Sequence, residues 1–336
     1  MPAMKTMQTS RPCVIEVVEA ERPVPGPQDV LIRVRACGIC GTDATFVHLD
    51  GMPAGPISLR HEPAGEIIEA GAAVTGLKPG DRVVANPQAA PSGIIGCGGT
   101  HGGMAEYLLI ENAVAGRSVA AFPDTLPFEV AALNEPMAVA RHCVNRAQAD
   151  PGDKAVVFGA GPNGLGVTIW LKLAGIAHVA MADVIPARLR TALAVGADAV
   201  IDSSREDAAA RLAQLHGQGS NALGAPRPGA DLSIDAAGVA AVVNTALTSA
   251  KWGARLVTVA VHKNPEPIDL GAMLRSEMNA SAQRHDPLRP PPRALHMQQA
   301  PGPATEGRRG AHFLDADSGP QMPRRTPAAA QSSSLR

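Results

Sequence analysis

Two short motifs near the start of the chain contain side chains that bind transition metals. Cys40 lies in the sequence GICGTD (residues 38–43), and His61 and Glu62 are adjacent in the sequence LRHEPAG (residues 59–65). A thiolate, an imidazole and a carboxylate together favour Zn²⁺ over harder cations, and three protein ligands leave one coordination position open for a substrate. The motifs therefore predict a single catalytic zinc ion.

A glycine-rich turn in the middle of the chain has the pattern of a dinucleotide-binding site. The apolar segment 154–158 runs directly into the sequence GAGPNG. In such a turn the first glycine permits a tight bend, the second lets the backbone approach a pyrophosphate, and the third lets the following helix pack on the strand. The predicted cofactor-binding residues of this turn are Gly159, Gly161, Pro162, Asn163 and Gly164.

An acidic residue follows this turn at the spacing that a dinucleotide site requires. Asp183 ends the next apolar segment, about 20 residues on, where a carboxylate binds the ribose hydroxyls of the cofactor. Because a carboxylate repels a 2′-phosphate, Asp183 favours NAD over NADP. Arg188 lies close enough in sequence to keep NADP open as an alternative, although a simpler role for it is a solvated position on a helix face.

The bulk composition limits the class of protein. A chain of 336 residues, 45% hydrophobic and 18% charged, is long enough for two globular domains with substantial cores. A net charge of −1 offers nucleic acid no electrostatic footprint, and no apolar stretch is long enough to cross a membrane. Five cysteines without disulfide-like spacing fit a reducing compartment, so we expect a cytoplasmic protein.

The hydrophobic pattern predicts an α/β protein with two kinds of domain. Short alternating segments such as 29–37, 64–70 and 82–85, separated by glycine and proline, predict a β-rich first domain. From residue 151 the pattern predicts alternating strands (154–158, 178–183, 199–202, 231–235 and 255–260) and helices (162–174, 186–195, 205–216 and 239–250). This alternation predicts a doubly wound parallel sheet. The stretches 86–103 and 217–229, rich in proline and glycine, are predicted to be surface loops. Residues 283–336 are rich in proline and arginine and poor in apolar residues, so we expect this tail to be disordered.

Taken together, the motifs resemble one family over residues 14–282. It is the zinc-dependent medium-chain dehydrogenase/reductase family, nearest its butanediol, sorbitol and threonine dehydrogenase branch. The matching motifs are PQDVLIRV (27–34), CGTD (40–43), HE (61–62), GDRV (80–83), HGGMAEY (101–107), EPMAVA (135–140) and GAGPNG (159–164).

The resemblance implies a domain organisation. Residues 1–148 would form a GroES-like catalytic domain that holds zinc, and residues 149–282 a Rossmann domain that binds NAD. The tail, 283–336, would replace the usual return of the chain to the catalytic domain. The strand end at 233–238 resembles the wall that contacts the cofactor in the family, which adds Ala237 to the predicted cofactor-binding residues.

The resemblance also implies site residues and an activity. Cys40, His61, Glu62 and Glu135 would surround the zinc ion, the two glutamates directly or through water. Thr42 would accept the proton of the substrate hydroxyl and pass it toward solvent, while a hydride passes from a secondary alcohol, diol or polyol to NAD. Relatives are dimers or tetramers, so we expect a homodimer or homotetramer if the truncated interface permits.

Several departures from the family pattern motivate an alternative. Arg60 replaces the glycine before the His-Glu pair, and Thr45 stands where relatives have a proton-relay histidine, which leaves His48 as a candidate substitute. The stretch that usually holds a structural zinc has only Cys97, so no structural zinc is expected. With the unusual tail, these departures allow an inactive or truncated dinucleotide-binding protein.

Two residues beside Cys40 have more than one interpretation. Asp43 either makes a hydrogen bond behind the metal ligands or caps a turn. Cys37 forms a C-x-x-C pair with Cys40, which could be a redox pair, although a core position for Cys37 fits the surrounding pattern better.

Overall fold

The computed structural model describes residues 3–48, 56–265 and 267–282. The tail at 283–336, predicted to be disordered, lies outside the described residues. None of the helices in the described ranges combines the length and the apolarity that crossing a lipid bilayer requires.

The amino-terminal part is rich in β-strands, as the alternating segments predicted, and its described strands form two antiparallel sheets. Its strands are β1 (Ala3–Arg11), β2 (Val14–Glu21), β3 (Val30–Cys37), β4 (Ile57–Ser58), β5 (Pro63–Ala70), β6 (Arg82–Ala85), β7 (Tyr107–Ile110) and β8 (Val119–Ala121). A five-stranded sheet has the order β7-β3-β5-β6-β8, and a three-stranded sheet has the order β2-β1-β4. The apolar core of the larger sheet includes Val30, Ile32, Ile67, Val83, Leu108 and Ile110.

Three α-helices belong to this part of the chain. They are α1 (Gly41–His48), α2 (Phe128–Ala131) and α3 (Asn134–Ala147), and a 3₁₀ helix spans Pro87–Ala89. The buried side of α3, including Ala140 and Val144, shares one apolar cluster with the parallel sheet that follows. This helix therefore packs the two parts of the protein together.

The second half is a parallel α/β sheet. Its strands are β9 (Lys154–Phe158), β10 (His178–Asp183), β11 (Ala199–Asp202), β14 (Leu232–Asp235), β15 (Arg255–Thr258) and β16 (Asn279–Ala282), with a hairpin of β12 (Gln218–Ser220) and β13 (Pro226–Pro228) inserted. The helices between them are α4 (Pro162–Leu173), α5 (Pro186–Ala194), α6 (Ala208–His216), α7 (Ala240–Thr248) and α8 (Leu270–Ser276). The strands lie in the order β11-β10-β9-β14-β15-β16. From β9 the chain adds β10 and β11 on one side and then β14, β15 and β16 on the other, so the switch point lies between β9 and β14. Ligands of such sheets bind at the carboxyl ends of the strands beside this switch point.

The central strand β9 is apolar and buried from Ala155 to Phe158 because both of its faces are covered. Val157 points into the cluster that contains α3, whereas Val156 and Phe158 belong to the cluster on the opposite face. A parallel strand with helices on both sides requires this continuous apolar pattern. The prediction of a doubly wound sheet is confirmed.

Two sequence predictions about this half need correction. The helix predicted at 205–216 begins only at Ala208, because the Asp207 carboxylate caps it by accepting a hydrogen bond from the amide of Ala210 at 2.7 Å. The loop predicted at 217–229 contains a short two-stranded hairpin, in which Gly219 pairs with Arg227.

Candidate active site

The metal-binding side chains predicted from the first motifs converge in the structure. Cys40 lies just before α1, and His61 and Glu62 lie just before β5. One ligand atom from each of the three residues can be chosen so that all three atoms lie within 4.8 Å of one another. His61 and Glu62 are buried, and Cys40 is partly exposed. The fold thus assembles sulfur, nitrogen and oxygen donors at one point.

The surroundings of Glu62 fit a bound cation. A side chain at Gly38 would place its Cβ 1.7 Å from Oε2 of Glu62, so the carboxylate occupies the space that the missing side chain leaves. The donor set of one thiolate, one imidazole and one carboxylate is typical of zinc. The residues present therefore fit a zinc ion.

Asp43 holds the two ligand-bearing segments together. This buried carboxylate accepts a hydrogen bond from the backbone amide of Cys40 at 2.8 Å through Oδ2, and one from the amide of Arg60 at 2.9 Å through Oδ1. The bond to Arg60 fits the first interpretation left open by the sequence, a hydrogen bond behind the proposed ligands. The same contact to Cys40 also closes the turn into α1.

Arg60 has an unusual backbone conformation for a residue with a side chain. Its φ is +75°, in the left-handed region that favours glycine. The guanidinium does not replace a metal ligand: Nη1 donates a hydrogen bond to the carbonyl of Gly38 at 3.3 Å. The backbone at this position needs a positive φ, which explains the glycine of the family pattern. Arg60 adopts the same conformation at an energetic cost.

The His61 imidazole lies between two thiols. Burial lowers the pKa of His61, but hydrogen bonds to Cys40 and Cys97 outweigh burial and raise it to about 11. Burial also raises the pKa of the neighbouring Glu62 carboxyl, an effect that His61 opposes. These interactions place the imidazole beside both cysteine side chains and the Glu62 carboxyl.

Glu135 lies in the first turn of α3, next to this cluster. Burial raises its pKa to about 7, while the charge of His61 opposes that rise and the charge of Glu62 adds to it. These electrostatic effects indicate that the Glu135 carboxyl lies near the other two side chains. It is not a member of the group whose ligand atoms lie within 4.8 Å of one another.

The predicted proton acceptor, Thr42, lies beside Cys40, a predicted metal ligand. The Cys40 thiol contacts Oγ1 of Thr42 at 3.6 Å. By contrast, the candidate relay His48 is exposed, and its Nδ1 lies 2.6 Å from the carbonyl of Ala44 in its own helix. Thr45 likewise bonds within α1, to the carbonyl of Gly41.

Cys37 and Cys40 are both free thiols. Burial raises the pKa of Cys37 to about 12, which keeps the thiol protonated. A protonated thiol at this half-buried position does not fit a redox pair with Cys40.

Sequence reasoning missed a contact between Cys97 and the metal-binding cluster. Sγ of Cys97 lies 3.1 Å from Nδ1 of His61. The segment 86–103 was interpreted as a surface loop, yet Ile95 within it is almost fully buried. The glycines on both sides of Cys97 were the available signal, since they let this loop fold closely against the strand that precedes His61.

The predicted cofactor turn has the expected geometry. Gly159 follows β9 with φ +99°, a conformation that requires glycine. Gly161 precedes α4, which begins at Pro162, and a Cβ at Gly161 would meet no atom within 4 Å. A Cβ at Gly164 would lie 1.8 Å from the carbonyl oxygen of Gly159. The turn is therefore tightly packed where Gly164 meets Gly159 and open at Gly161. A pyrophosphate site needs this combination of close helix packing and an accessible backbone. Asn163 lies in the first turn of the same helix.

Asp183 lies at the end of β10, adjacent to this turn. Its Oδ2 accepts a hydrogen bond from the amide of Ala160 at 2.7 Å, and its Oδ1 accepts from the amides of Val184 and Ile185 at 2.7 and 2.8 Å. The side chain of Arg188, in α5, is exposed. The structure thus brings Asp183 to the glycine turn, as the sequence predicted.

Ala237 lies on the opposite side of the turn. A Cβ at Gly159 would approach the backbone nitrogen of Ala237 to 2.8 Å. The buried Asp235, at the end of β14, fixes this loop by accepting hydrogen bonds from the amides of Ala237 and Gly238 at 3.1 and 3.0 Å. The glycine turn, Asp183 and Ala237 surround the switch point of the sheet, and these residues fit a bound dinucleotide.

Comparison with known proteins agrees with both halves of this site. Residues 26–120 match the alcohol dehydrogenase GroES-like domain, and residues 162–282 match the zinc-binding dehydrogenase domain. The chain is 32% identical over 271 residues to (R,R)-butanediol dehydrogenase from Bacillus subtilis, and the match covers 74% of each chain. The chain belongs to the zinc-dependent medium-chain dehydrogenase family. It is therefore an oxidoreductase that acts on CH–OH groups.

Further members of the medium-chain dehydrogenase family support the assignment. Sorbitol dehydrogenase from Gallus gallus is 31% identical over 260 residues, 70% of this chain and 69% of the relative. The crystal structure of a zinc-binding dehydrogenase from Sinorhizobium meliloti 1021, bound to NADP, has a TM-score of 0.74 and 28% identity, covering 86% of both chains. The GroES-like and Rossmann architecture is confirmed, and the family binds zinc and NAD(P). These comparisons favour an active dehydrogenase over an inactive dinucleotide-binding protein.

Proposed function

We propose that this dehydrogenase oxidises a secondary alcohol, diol or polyol and transfers the hydride to NAD. The observation that supports this proposal most directly is the buried cluster of Cys40, His61 and Glu62. The substrate class is taken from the diol and polyol specificity that the names of its relatives state.

The proposal assigns the zinc ligands to three elements of the fold. Cys40 supplies the thiolate, His61 the imidazole, and Glu62 the first carboxylate. Glu135 supplies a second carboxylate, directly or through water, from the first turn of α3. We propose one zinc ion per chain and no structural zinc.

The roles of the chain's own groups follow from this arrangement. When bound, zinc acts as a Lewis acid that lowers the pKa of an alcohol hydroxyl. Thr42, whose Oγ1 lies 3.6 Å from the Cys40 sulfur, would accept the hydroxyl proton and release its own proton toward solvent. The burial of His61 and Glu62 excludes water from the ligand side of the site.

On the cofactor side, we assign the pyrophosphate to the start of α4. The residues proposed to contact the cofactor are Gly159, Gly161, Pro162, Asn163, Gly164, Asp183 and Ala237. We propose NAD rather than NADP, because the charge of Asp183 at the turn repels a 2′-phosphate. If Arg188 binds that phosphate instead, the preference is reversed.

We further propose the domain boundary, the assembly and the compartment. The catalytic domain would end at residue 148, where Gln148 terminates α3 in a left-handed conformation with φ +49°.

A homodimer or homotetramer would pair through the edge of the parallel sheet, where β16 lines a groove of about 430 Å³ with exposed Ile268 beside it. All five cysteines are free, which supports a location in the reducing cytoplasm.

An absorbance assay for NADH tests the proposed activity. The full chain is supplied with zinc, NAD or NADP, and a panel of diols, polyols and threonine. We expect NADH formation with at least one diol or polyol, a loss of at least 100-fold in Cys40→Ser, and no loss in Cys13→Ser, which changes an exposed cysteine. Zinc-loaded protein that reduces neither cofactor with any substrate would contradict the proposal.

A further inference from the structure

The contact between Cys97 and His61 is not explained by the residues assigned above. Sγ of Cys97 lies 3.1 Å from Nδ1 of the buried His61 ring, across 36 positions of sequence. Cys97 does not belong to the group of Cys40, His61 and Glu62 whose ligand atoms cluster within 4.8 Å. It therefore touches a proposed zinc ligand without belonging to the proposed ligand set.

The fold holds Cys97 in this position through several backbone contacts. Cys97 forms an isolated antiparallel bridge with Leu59, two residues before the histidine. Its amide donates to the carbonyl of Ile94 at 3.1 Å, and the amide of Gly103 donates to the carbonyl of Arg60 at 2.7 Å. The bridge to Leu59 and the bond from Gly103 thus tie the loop to the segment that bears His61.

Gly96 allows the loop to approach this closely. Its φ is +66°, and a Cβ at this position would lie 2.1 Å from the carbonyl oxygen of Arg60. Any side chain there would push the loop away from the strand. The absence of a side chain therefore keeps Cys97 within reach of the imidazole.

We propose that Cys97 is a positioning residue that orients His61 for zinc. In a zinc site, a histidine donates the N–H of its second ring nitrogen to a neighbouring acceptor, which fixes the tautomer and the ring orientation. Here the acceptor is the sulfur of Cys97, which receives Nδ1–H and leaves Nε2 with a lone pair for the metal. A carboxylate or carbonyl usually fills this role, so a thiol is a property of this chain's own sequence. The inference depends on the proposed zinc site.

Zinc affinity of the full chain, measured by competition with a chromophoric chelator, tests this role. We compare Cys97→Val, which has similar volume but no acceptor, with Cys97→Ser, whose hydroxyl accepts the same hydrogen bond. Cys13→Ser serves as the control at an exposed cysteine. We expect the zinc Kd to rise about 10- to 100-fold in Cys97→Val, while Cys97→Ser stays within about threefold of the unchanged chain.

The unfolding temperature separates positioning from simple packing. If Cys97 only filled space, Cys97→Ser would affect zinc affinity at least as much as Cys97→Val, and any loss would follow the loss of thermal stability. That result, or an unchanged zinc Kd in Cys97→Val, would overturn the inference.

Substitution of zinc by Co²⁺ distinguishes a positioning residue from a direct ligand. The thiolate-to-cobalt absorption reports how many sulfur atoms bind the metal. One thiolate, with a band intensity unchanged in Cys97→Val, supports the inference, whereas two thiolates, reduced to one in that variant, would overturn it. Cys40→Ser tests the underlying site: if this variant binds zinc as tightly as the unchanged chain, the proposed zinc site itself has failed.

Discussion

The carboxylate of Asp43 accepts a hydrogen bond from the backbone amide of Arg60 at 2.9 Å. Its other oxygen accepts one from the amide of Cys40 at 2.8 Å. These two bonds link the segment before α1 to the segment before β5. Asp43 and Arg60 are 17 positions apart in the sequence. One buried side chain therefore fixes the distance between the Cys40 thiol and the His61 imidazole.

Replacement of Asp43 should weaken both the fold and the metal site. In Asp43→Ala two backbone amides lose their acceptor, so we expect the free energy of unfolding to fall by about 2–4 kcal/mol. Zinc affinity should fall as well, because Cys40 is no longer held in register. Urea unfolding and chelator competition measure the two effects.

Asp29→Ala is the matched control for this prediction. Asp29 also accepts two backbone hydrogen bonds, from the amides of Gly26 and Asn112, but far along the sheet from the metal-binding residues. Because Asp29 is only half-buried, its replacement should destabilise the chain by less than Asp43→Ala, and it should leave the zinc Kd of the folded protein unchanged. Equal losses of zinc affinity in both variants would contradict the role assigned to Asp43.

Arg60→Gly should stabilise the protein. A residue with a Cβ in the left-handed region costs about 1–2 kcal/mol, and glycine avoids that cost at φ +75°. After the loss of the hydrogen bond to the carbonyl of Gly38, we expect a net gain of about 1 kcal/mol. Thermal unfolding of Arg60→Gly and Arg60→Ala measures it. Arg60→Ala removes the same guanidinium but keeps the Cβ, so a gain as large in alanine as in glycine would show that backbone strain is not the cause.

Two alanine variants in the glycine turn should have different defects, one in cofactor binding and the other in stability. A Cβ at Gly161 meets nothing within 4 Å in the cofactor-free protein, so Gly161→Ala should fold normally but weaken NADH binding where the pyrophosphate approaches. A Cβ at Gly164 would lie 1.8 Å from the carbonyl oxygen of Gly159, so Gly164→Ala should lower the unfolding temperature. NADH fluorescence titration and thermal unfolding distinguish the two. Unchanged NADH affinity in Gly161→Ala would argue against a pyrophosphate at this turn.

Two histidines away from the active site predict a pH dependence of stability. Nδ1 of His178 lies 2.9 Å from Nε2 of the buried His216. Burial, and then the charges of His178 and Lys154, lower the pKa of His216 from 6.5 to about 4. Between these values the unfolded chain binds a proton that the folded chain does not, so stability is complete above pH 6.5 and declines toward pH 4.

We expect this decline to amount to about 2 kcal/mol, after allowance for partial screening of the ring by solvent. Urea unfolding at several pH values should show a flatter slope for His216→Gln between pH 4 and 6.5. His48→Gln, at an exposed histidine, should keep the slope of the unchanged chain. If His216→Gln keeps that slope too, other groups cause the pH dependence.

The parallel sheet could be predicted from the sequence, because buried parallel strands need continuous apolar residues and such runs are visible in the sequence. The bounds predicted for β9 and β10 agree with the structure, and Asp183 ends its strand beside Ala160 as its spacing implied. The association of Cys40, His61 and Glu62 was also predictable, because zinc needs ligands of just these chemical types and their motifs occur in the family's order.

Other features depend on contacts between residues far apart in the chain. The segments 3–11 and 14–21 form β1 and β2 by pairing with each other, although their polar, exposed pattern gave little signal. Cys97 reaches His61 only because a glycine-rich loop folds back on the strand before it. The glycines beside Cys97 permit this approach, but they do not specify which segment the loop meets, so the sequence alone predicts a surface loop.

The zinc content of the purified full chain, measured by elemental analysis after dialysis, tests the central claim most directly. The account predicts one zinc ion per chain in the unchanged protein and in Cys13→Ser, and less than about a tenth of that in Cys40→Ser or His61→Ala. Stoichiometric zinc retained in both of these last variants would show that the metal binds elsewhere and would contradict the assignment of the active site.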